Sequence, residues 1–505
     1  MTSNRENASL TEGSPTEELL WLALPIIGMM VSRMLMGFID FVMVTQLGTD
    51  AQAAISPASM FVFVIGCIGL GFANAVQTFV SQADGRGRPR EAGGFAWQSF
   101  YIAGVFALLT LPFAATVDVW FGWLARIGHH SDAVATLESS YIRIALWCVA
   151  PSIICIGLNG FFNGVQKPWV AFVAVTASLA ANVVGNWLLI FGNWGCPRLG
   201  IAGAAYSTVI AWWVRAVILT VAVLMPSFDR QYNTRHSLAP CWHKLVGLIR
   251  VGGPTSIGWL VDVGSWTIFL VLIMPTFGTA ALAAGNVGLQ LMHLSFMPAV
   301  GIGIALCSQV GFAIGEGRPD VAVLRARVAF RVTGAYMGAV GLAFLLAREP
   351  LVSLFNQDPN VIAAGSVVLI WAAIFQVFDA MCITYMNALR GAGDTRWPAI
   401  AMGVSCWTIF ICGGYALARF VPDWGMNGPW AMCTLYIIVL GLALLRRWRA
   451  GKWRDIRLFD EQHPPPIAAE TPDEAPIGTI TASVEPEALE TDSEPEPVRA
   501  GGSSD

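Results

Sequence analysis

Three aspartates lie inside long apolar runs of this chain: Asp40 in Met36-Gly37-Phe38-Ile39-Asp40-Phe41, Asp262 in Trp259-Leu260-Val261-Asp262-Val263-Gly264, and Asp379 in Phe375-Gln376-Val377-Phe378-Asp379-Ala380. An ionisable side chain at the centre of a bilayer costs at least a few kcal/mol, so each asks for a reason. A carboxylate facing a cavity can take up and release H+, or ligate Na+, as its contact with water changes. The competing reading is a structural aspartate satisfied by hydrogen bonds. Ion or proton coupling is the role expected of Asp40, Asp262 and Asp379.

Other polar groups share these runs. Asn182 and Asn186 are spaced i, i+4, so their amides face one side of a helix; they either bind a protonated carboxyl or substrate, or join helices by hydrogen bonds. Asn286, Gln290 and Gln376 are further candidates for the polar lining of a cavity. Arg33 lies two turns before Asp40, where snorkelling towards an interface is favoured over tuning the carboxylate, and Arg215 carries the same ambiguity. His293 stands alone in an apolar run and reads as a satisfied core residue. The chain lacks Gly-x-x-x-x-Gly-Lys-[Ser/Thr], His-Glu-x-x-His and Gly-x-Ser-x-Gly. No enzyme activity, cofactor or nucleic-acid partner is therefore expected, and any work must be driven by an ion gradient.

The elements that hold these residues are membrane helices. Of the 505 residues 55% are hydrophobic and only 12% charged, against about 25% charged in soluble proteins. Runs of about 20 apolar residues, the length that crosses a bilayer, fall near 19–44, 58–82, 95–116, 139–162, 170–191 and 202–225, and again near 246–274, 281–312, 328–347, 361–388, 398–418 and 428–448. With the N-terminus inside, the inner segments up to residue 457 carry 21 Lys and Arg and the outer loops four (Arg126, Arg198, Arg348, Arg419). That bias places both termini in the cytoplasm and the chain, multi-pass, in a cell (inner) membrane. Most of the ten cysteines sit within apolar runs, as small hydrophobes.

The runs repeat as two sets of six. Gly48-Thr49-Asp50-Ala51 resembles Gly278-Thr279-Ala280-Ala281, and Gly85-Arg86-Gly87-Arg88-Pro89 resembles Gly315-Glu316-Gly317-Arg318-Pro319, both 230 residues apart. Pro25 and Pro254 are 229 apart, and Asn163 with Pro168 is echoed by Asn387 with Pro398. The expected organisation is a cytoplasmic segment 1–18, a six-helix bundle 19–225, a cytoplasmic linker 226–245, a second bundle 246–448, and a largely disordered acidic tail 449–505. The fold class is all-α, with 12 transmembrane helices in two bundles related by a pseudo-two-fold axis along the membrane normal. The carboxylates break the repeat, since position 269, 229 beyond Asp40, is Phe.

In order and spacing these segments resemble the multidrug and toxic compound extrusion (MATE) family, NorM-like branch, over roughly residues 15–450. The resemblance is carried by Leu24-Pro25 through Asp40 to Leu47-Gly48, by Ile249-Arg250-Val251-Gly252-Gly253-Pro254 through Asp262, and by Phe375 to Asp379 followed by Ala388-Leu389-Arg390-Gly391-Ala392-Gly393-Asp394-Thr395. It implies a V of two bundles around a central cavity, alternating access, and export of cationic or amphiphilic small molecules against H+ or Na+ by a monomer in the lipid bilayer. It further implies that Asp40 is the family's first-helix carboxylate, that Asp262 and Asp379 are acidic positions of the second bundle where Na+ could bind, and that Asn182 and Asn186 belong to its fifth-helix pattern. Two positions depart from the Na+-coupled type: Phe375 stands where it has Tyr, keeping a face for cation–π contact without the hydroxyl, and Asp262 replaces a Glu. The alternatives are a lipid-linked oligosaccharide flippase, which calls for a basic cavity, and a non-transporting membrane scaffold or receptor.

Overall fold

Our computed structural model describes residues 14–127 and 131–459, the side chains of 124–127 excepted. The expected segment up to residue 13, the Arg126 side chain and the acidic tail from 460 lie outside the described residues. Twelve described helices are long and apolar enough to cross a membrane: α1 (Pro15–Thr45), α2 (Thr49–Gly85), α3 (Pro89–Ala115), α4 (Asp132–Gly164), α5 (Pro168–Phe191), α6 (Ile201–Val223), α7 (Trp242–Phe277), α8 (Thr279–Gly315), α9 (Pro319–Leu346), α10 (Pro359–Gly391), α11 (Arg396–Phe420) and α12 (Asn427–Arg449). Each expected span is present, and each starts earlier than expected. Proline opens α1, α3, α5, α9 and α10, where its missing N–H has no helical acceptor to lose. Helix α4 begins seven residues before the expected 139 because the Ser131 hydroxyl accepts the Val134 N–H (3.3 Å).

The duplication is visible in backbone conformation. Gly48 and Gly278, with φ of 115° and 95°, cap α2 and α8, and Gly87 and Gly317, at 70° and 72°, close the next turns. In those turns Arg88 N–H donates to the Ala83 carbonyl (3.1 Å) and Arg318 N–H to that of Ala313 (2.9 Å). A third turn corrects one match read from sequence. Gln166 and Gly393 share the positive φ, and Lys167 and Asp394 donate to Phe162 and Leu389, both at 2.8 Å. The local offset is thus 227, so Asn163 corresponds to Arg390 and not to Asn387. The shift from 229 at Pro25/Pro254 to 230 at Gly48/Gly278 falls at Phe269–Ile273, where α7 winds as a π-helix, the usual accommodation of one extra residue.

The two lobes meet along α1 and α2 of the first and α7 and α8 of the second. The closest approaches lie in the helix halves nearer the chain termini. A Cβ on Gly85 would stand 2.1 Å from the Phe312 carbonyl oxygen, one on Gly311 2.0 Å from Ser81 Oγ, and one on Gly252 2.5 Å from the Gly71 carbonyl. Side chains bridge the same seam. Gln77 Nε2 donates to the Ile304 carbonyl (2.8 Å) and Ser308 Oγ (2.7 Å), Thr78 Oγ1 to the Arg390 carbonyl (3.0 Å), and Gln82 Nε2 to that of Gly391 (2.9 Å). Arg325 and Glu18 add an ion pair at 2.8 Å. The result is a V joined at the end that carries the termini.

Two expected boundaries change. Residues 226–241 are not a plain linker: Pro226–Tyr232 is a helix, and Thr234, fully buried, accepts the indole N–H of Trp97 at its carbonyl (2.7 Å), tying the segment to the first lobe. The tail does not start at 449 either. Trp453 is buried against Trp448, ring centres 4.3 Å apart, and Leu458 reaches the turn at Gly393.

Candidate functional site: a cavity with two unlike walls

A cavity of about 790 Å3 lies between the lobes and reaches the seam at Gln77 and Arg390. On the second lobe, α7 contributes Trp259, Asp262 and Trp266, spaced three and four residues apart on one stripe, and α10 contributes Phe375, Gln376 and Asp379. The first lobe contributes Arg33 from α1, Asn159 and Asn163 from α4, and Arg215 from α6.

Asp262 and Asp379 line the same cavity, from α7 and α10. They are close enough to interact electrostatically, and among the described residues neither forms an ion pair. Phe375 lies on the wall beside them, mostly covered. Gln376 also lines the cavity, but its Nε2 donates to Ser295 Oγ (3.1 Å), so its amide is partly engaged by the protein.

Asp40 is placed elsewhere. It does not line the cavity; Asn186 Nδ2 donates to its Oδ1, and Thr208 Oγ1 to its Oδ2 (3.4 Å). Asn186 also donates to Asn182 Oδ1 (3.4 Å), and both asparagines are fully buried. Of the two roles open to it, the asparagine pair does not line the cavity; Asn186 instead joins α5 to the partly buried carboxylate of α1. Asn286 and Gln290 are also corrected, being exposed and off the cavity wall. Asn286 sits two turns, about 10 Å, beyond His293 on the same face of α8, and Gln290 is rotated about 60° from it.

His293 is not a core residue. It is exposed, lines the cavity, shares a hydrogen bond with the Leu289 carbonyl (3.1 Å) and lies against Phe296. Arg33 does not snorkel: its guanidinium carbon lies 6.0 Å from the centre of the Trp212 ring, which Arg215 also faces at 5.3 Å. Cavity residues that the sequence reading missed include Asn159, Asn163, Asn387 and Arg390. Asn159 and Asn163 share the i, i+4 spacing that drew attention to Asn182 and Asn186, and that spacing was the available signal.

The repeat relates the two walls residue by residue. Cys155 Sγ donates to the Trp212 carbonyl (3.7 Å) and Cys382 Sγ to that of Ile437 (3.5 Å), the same contact at offsets of 227 in α4/α10 and 225 in α6/α12. On these offsets Ser152 corresponds to Asp379 and Arg215 to Leu440. On the Pro25/Pro254 offset of 229, Arg33 corresponds to Asp262. One equivalent pair, Arg33 and Asp262, thus carries opposite charges across the cavity, while Asp379 and Arg215 each correspond to an uncharged residue.

A family model, MatE, matches residues 25–188 and 254–415, one stretch in each lobe. The chain is 31% identical over 450 residues to a probable multidrug resistance protein NorM of Rhizobium meliloti, covering 85% of this chain and 92% of that protein. It is 26% identical over 434 residues to the multidrug resistance protein MdtK of Pectobacterium atrosepticum, covering 85% and 94%. Its fold matches an outward-facing structure of a multidrug resistance MATE family transporter of the MOP superfamily, with a TM-score of 0.79 at 19% identity over 87% of this chain and 96% of that one.

Proposed function

The chain belongs to the MatE (multidrug and toxic compound extrusion) family of transporters, and from that premise we propose that it is an antiporter that exports cationic or amphiphilic small molecules in exchange for H+ or Na+. It is a multi-pass membrane protein and not an enzyme. The observation that carries the antiport reading is the pairing of Asp262 with Asp379 on the wall of a drug-sized cavity whose terminal end is sealed.

Carboxylates there have two competing occupants. With H+ or Na+ bound, the wall loses negative charge and a cationic guest is released. With the ion gone, two anionic side chains facing the cavity attract the next cation. Exchange needs only that ion and guest bind the two lobe arrangements with different affinities. The charge bias of the loops supports a cell inner membrane with both termini cytoplasmic. On that orientation the seam faces the cytoplasm and the cavity opens outwards. The protein acts as a monomer in this reading, each chain holding a complete cavity.

The test is efflux of a cationic dye such as ethidium from vesicles holding the full chain, with Na+ and pH gradients imposed separately. Efflux follows one of the two gradients, and Asp262→Asn or Asp379→Asn lowers it about tenfold or more, as loss of a charge-assisted contact requires. Efflux that ignores both gradients, or that both asparagine variants sustain at the wild-type rate, overturns the reading.

A further inference from the structure

The wall opposite Asp262 and Asp379 is basic, and the protein does not neutralise it. Among the described residues neither Arg33 nor Arg215 forms an ion pair with Asp or Glu, and Asp40, on the same helix as Arg33, is engaged by Asn186 and Thr208. Arg215 is 4% exposed, and its Nε is buried without an acceptor. Both side chains stand at least eight residues from either end of their helices, about 12 Å. An arginine at mid-membrane costs about 2.5 kcal/mol or more. The shared Trp212 ring returns about 0.5–2 kcal/mol and leaves the charge in place. Neither arginine is dictated by the repeat, which puts Asp262 at the place equivalent to Arg33 and Leu440 at that of Arg215.

We propose that Arg33 and Arg215 form an oxyanion subsite, and that the preferred substrates are dipolar amphiphiles: a carboxylate held by the two guanidinium groups and a cationic nitrogen held towards Asp262 and Asp379. The inference rests on the efflux reading above and narrows its substrate class. A guanidinium presents its N–H donors in a planar fork that matches a carboxylate. Two such groups with a free edge turned to the cavity supply what a bound carboxylate needs, and the 790 Å3 between the walls accommodates a drug-sized molecule spanning both. A purely cationic guest uses one wall and meets repulsion from the other.

The experiment uses rhodamine B and its ethyl ester, which share the cationic ring system and differ in the free carboxylate. Full-length protein is reconstituted in vesicles, and transport of both dyes is measured for wild type, Arg33→Gln and Arg215→Gln. The ratio of free-acid to ester transport falls about tenfold or more in each variant. An unchanged ratio overturns the subsite while leaving efflux intact. If wild type moves neither dye, the efflux reading falls and the subsite with it. Where a variant fails to reach the membrane, binding to purified wild type decides by tryptophan quenching: tighter binding of the free acid by about tenfold or more supports the proposal, and equal affinity overturns it. Displacement of the free acid, but not the ester, by phosphatidylglycerol would place a lipid phosphate on the arginines and overturn the substrate assignment.

Discussion

Replacing Gly85 by alanine should open the seam between the lobes. The added methyl would lie 2.1 Å from the Phe312 carbonyl oxygen, a backbone atom that no rotamer change can move away. An ordinary C···O contact is about 3.3–3.6 Å, so α2 and α8 must part by about 1.2 Å. The same displacement carries the two α2–α8 hydrogen bonds of Gln77, to Ile304 and Ser308 and 2.8 and 2.7 Å long, beyond bonding range. At about 0.5–1.5 kcal/mol for each bond, the state sealed at the terminal end loses about 1–3 kcal/mol relative to one open there. That is a shift of about 5- to 150-fold in the equilibrium between them. Spin labels at Thr49 and Thr279, equivalent exposed positions at the far end of the V, report it by electron–electron double resonance, with the accessible Cys196, Cys241 and Cys412 replaced by serine. The long-distance population falls and a shorter one grows. Gly104→Ala is the control, since its methyl meets no atom within 4 Å. A folded Gly85→Ala protein with the wild-type distance distribution would refute the claim that this contact holds the seam.

Two further substitutions test what holds each lobe together. Trp430, fully buried, packs edge-on to Phe269 at 5.1 Å within a cluster that continues through Phe410 to Tyr436, so Trp430→Ala should cost about 3–5 kcal/mol and lower the unfolding temperature of the purified protein, with Trp430→Phe losing less; equal losses would show that ring packing is not the cause. Asn186→Leu strips Asp40 of a donor and should cost about 1.5–3 kcal/mol, whereas Asp40→Asn removes the charge that needed it and should cost less; the reverse order in thermal unfolding would count against the structural role given to the asparagine.

The architecture was largely readable because its causes are local. Twenty-residue apolar runs, prolines at helix starts and glycines at turns needing positive φ act within a few residues, and Gly48 and Gly278 do the same job in each copy. The site was readable only in part, because lining a cavity depends on depth along a helix and on partners far away in sequence. Asp262 and Asp379 were identifiable as costly charges in apolar runs, and both line the one cavity. Asp40 gave the same signal but lies off the cavity, hydrogen-bonded by Asn186 146 residues away, a partner that spacing alone cannot reveal. Asn286 and Gln290 failed for the opposite reason: the polar types fit, but one lies too far along α8 and the other is turned off the cavity face.

The arginines show most clearly what composition conceals. Taken singly, Arg33 and Arg215 read as snorkelling side chains, because the sequence does not reveal that Trp212 receives both. Once the repeat is aligned on structure, Arg33 becomes the counterpart of Asp262, and the duplication acquires a functional sense. Two copies of one six-helix unit supply matching backbones facing each other across a cavity, and a symmetric pair of like charges there would repel each other and suit only guests of the opposite sign. Opposite charges at equivalent sites avoid that repulsion and give the cavity a polarity that neither copy possesses alone. Transport by such a cavity depends on the difference between the walls, so reversing one of them should matter more than weakening it. On this argument Arg33→Asp, which restores the symmetry of the repeat, should depress transport of the free-acid rhodamine further than Arg33→Gln, and an equal effect of the two would mean that the charge at position 33 is incidental.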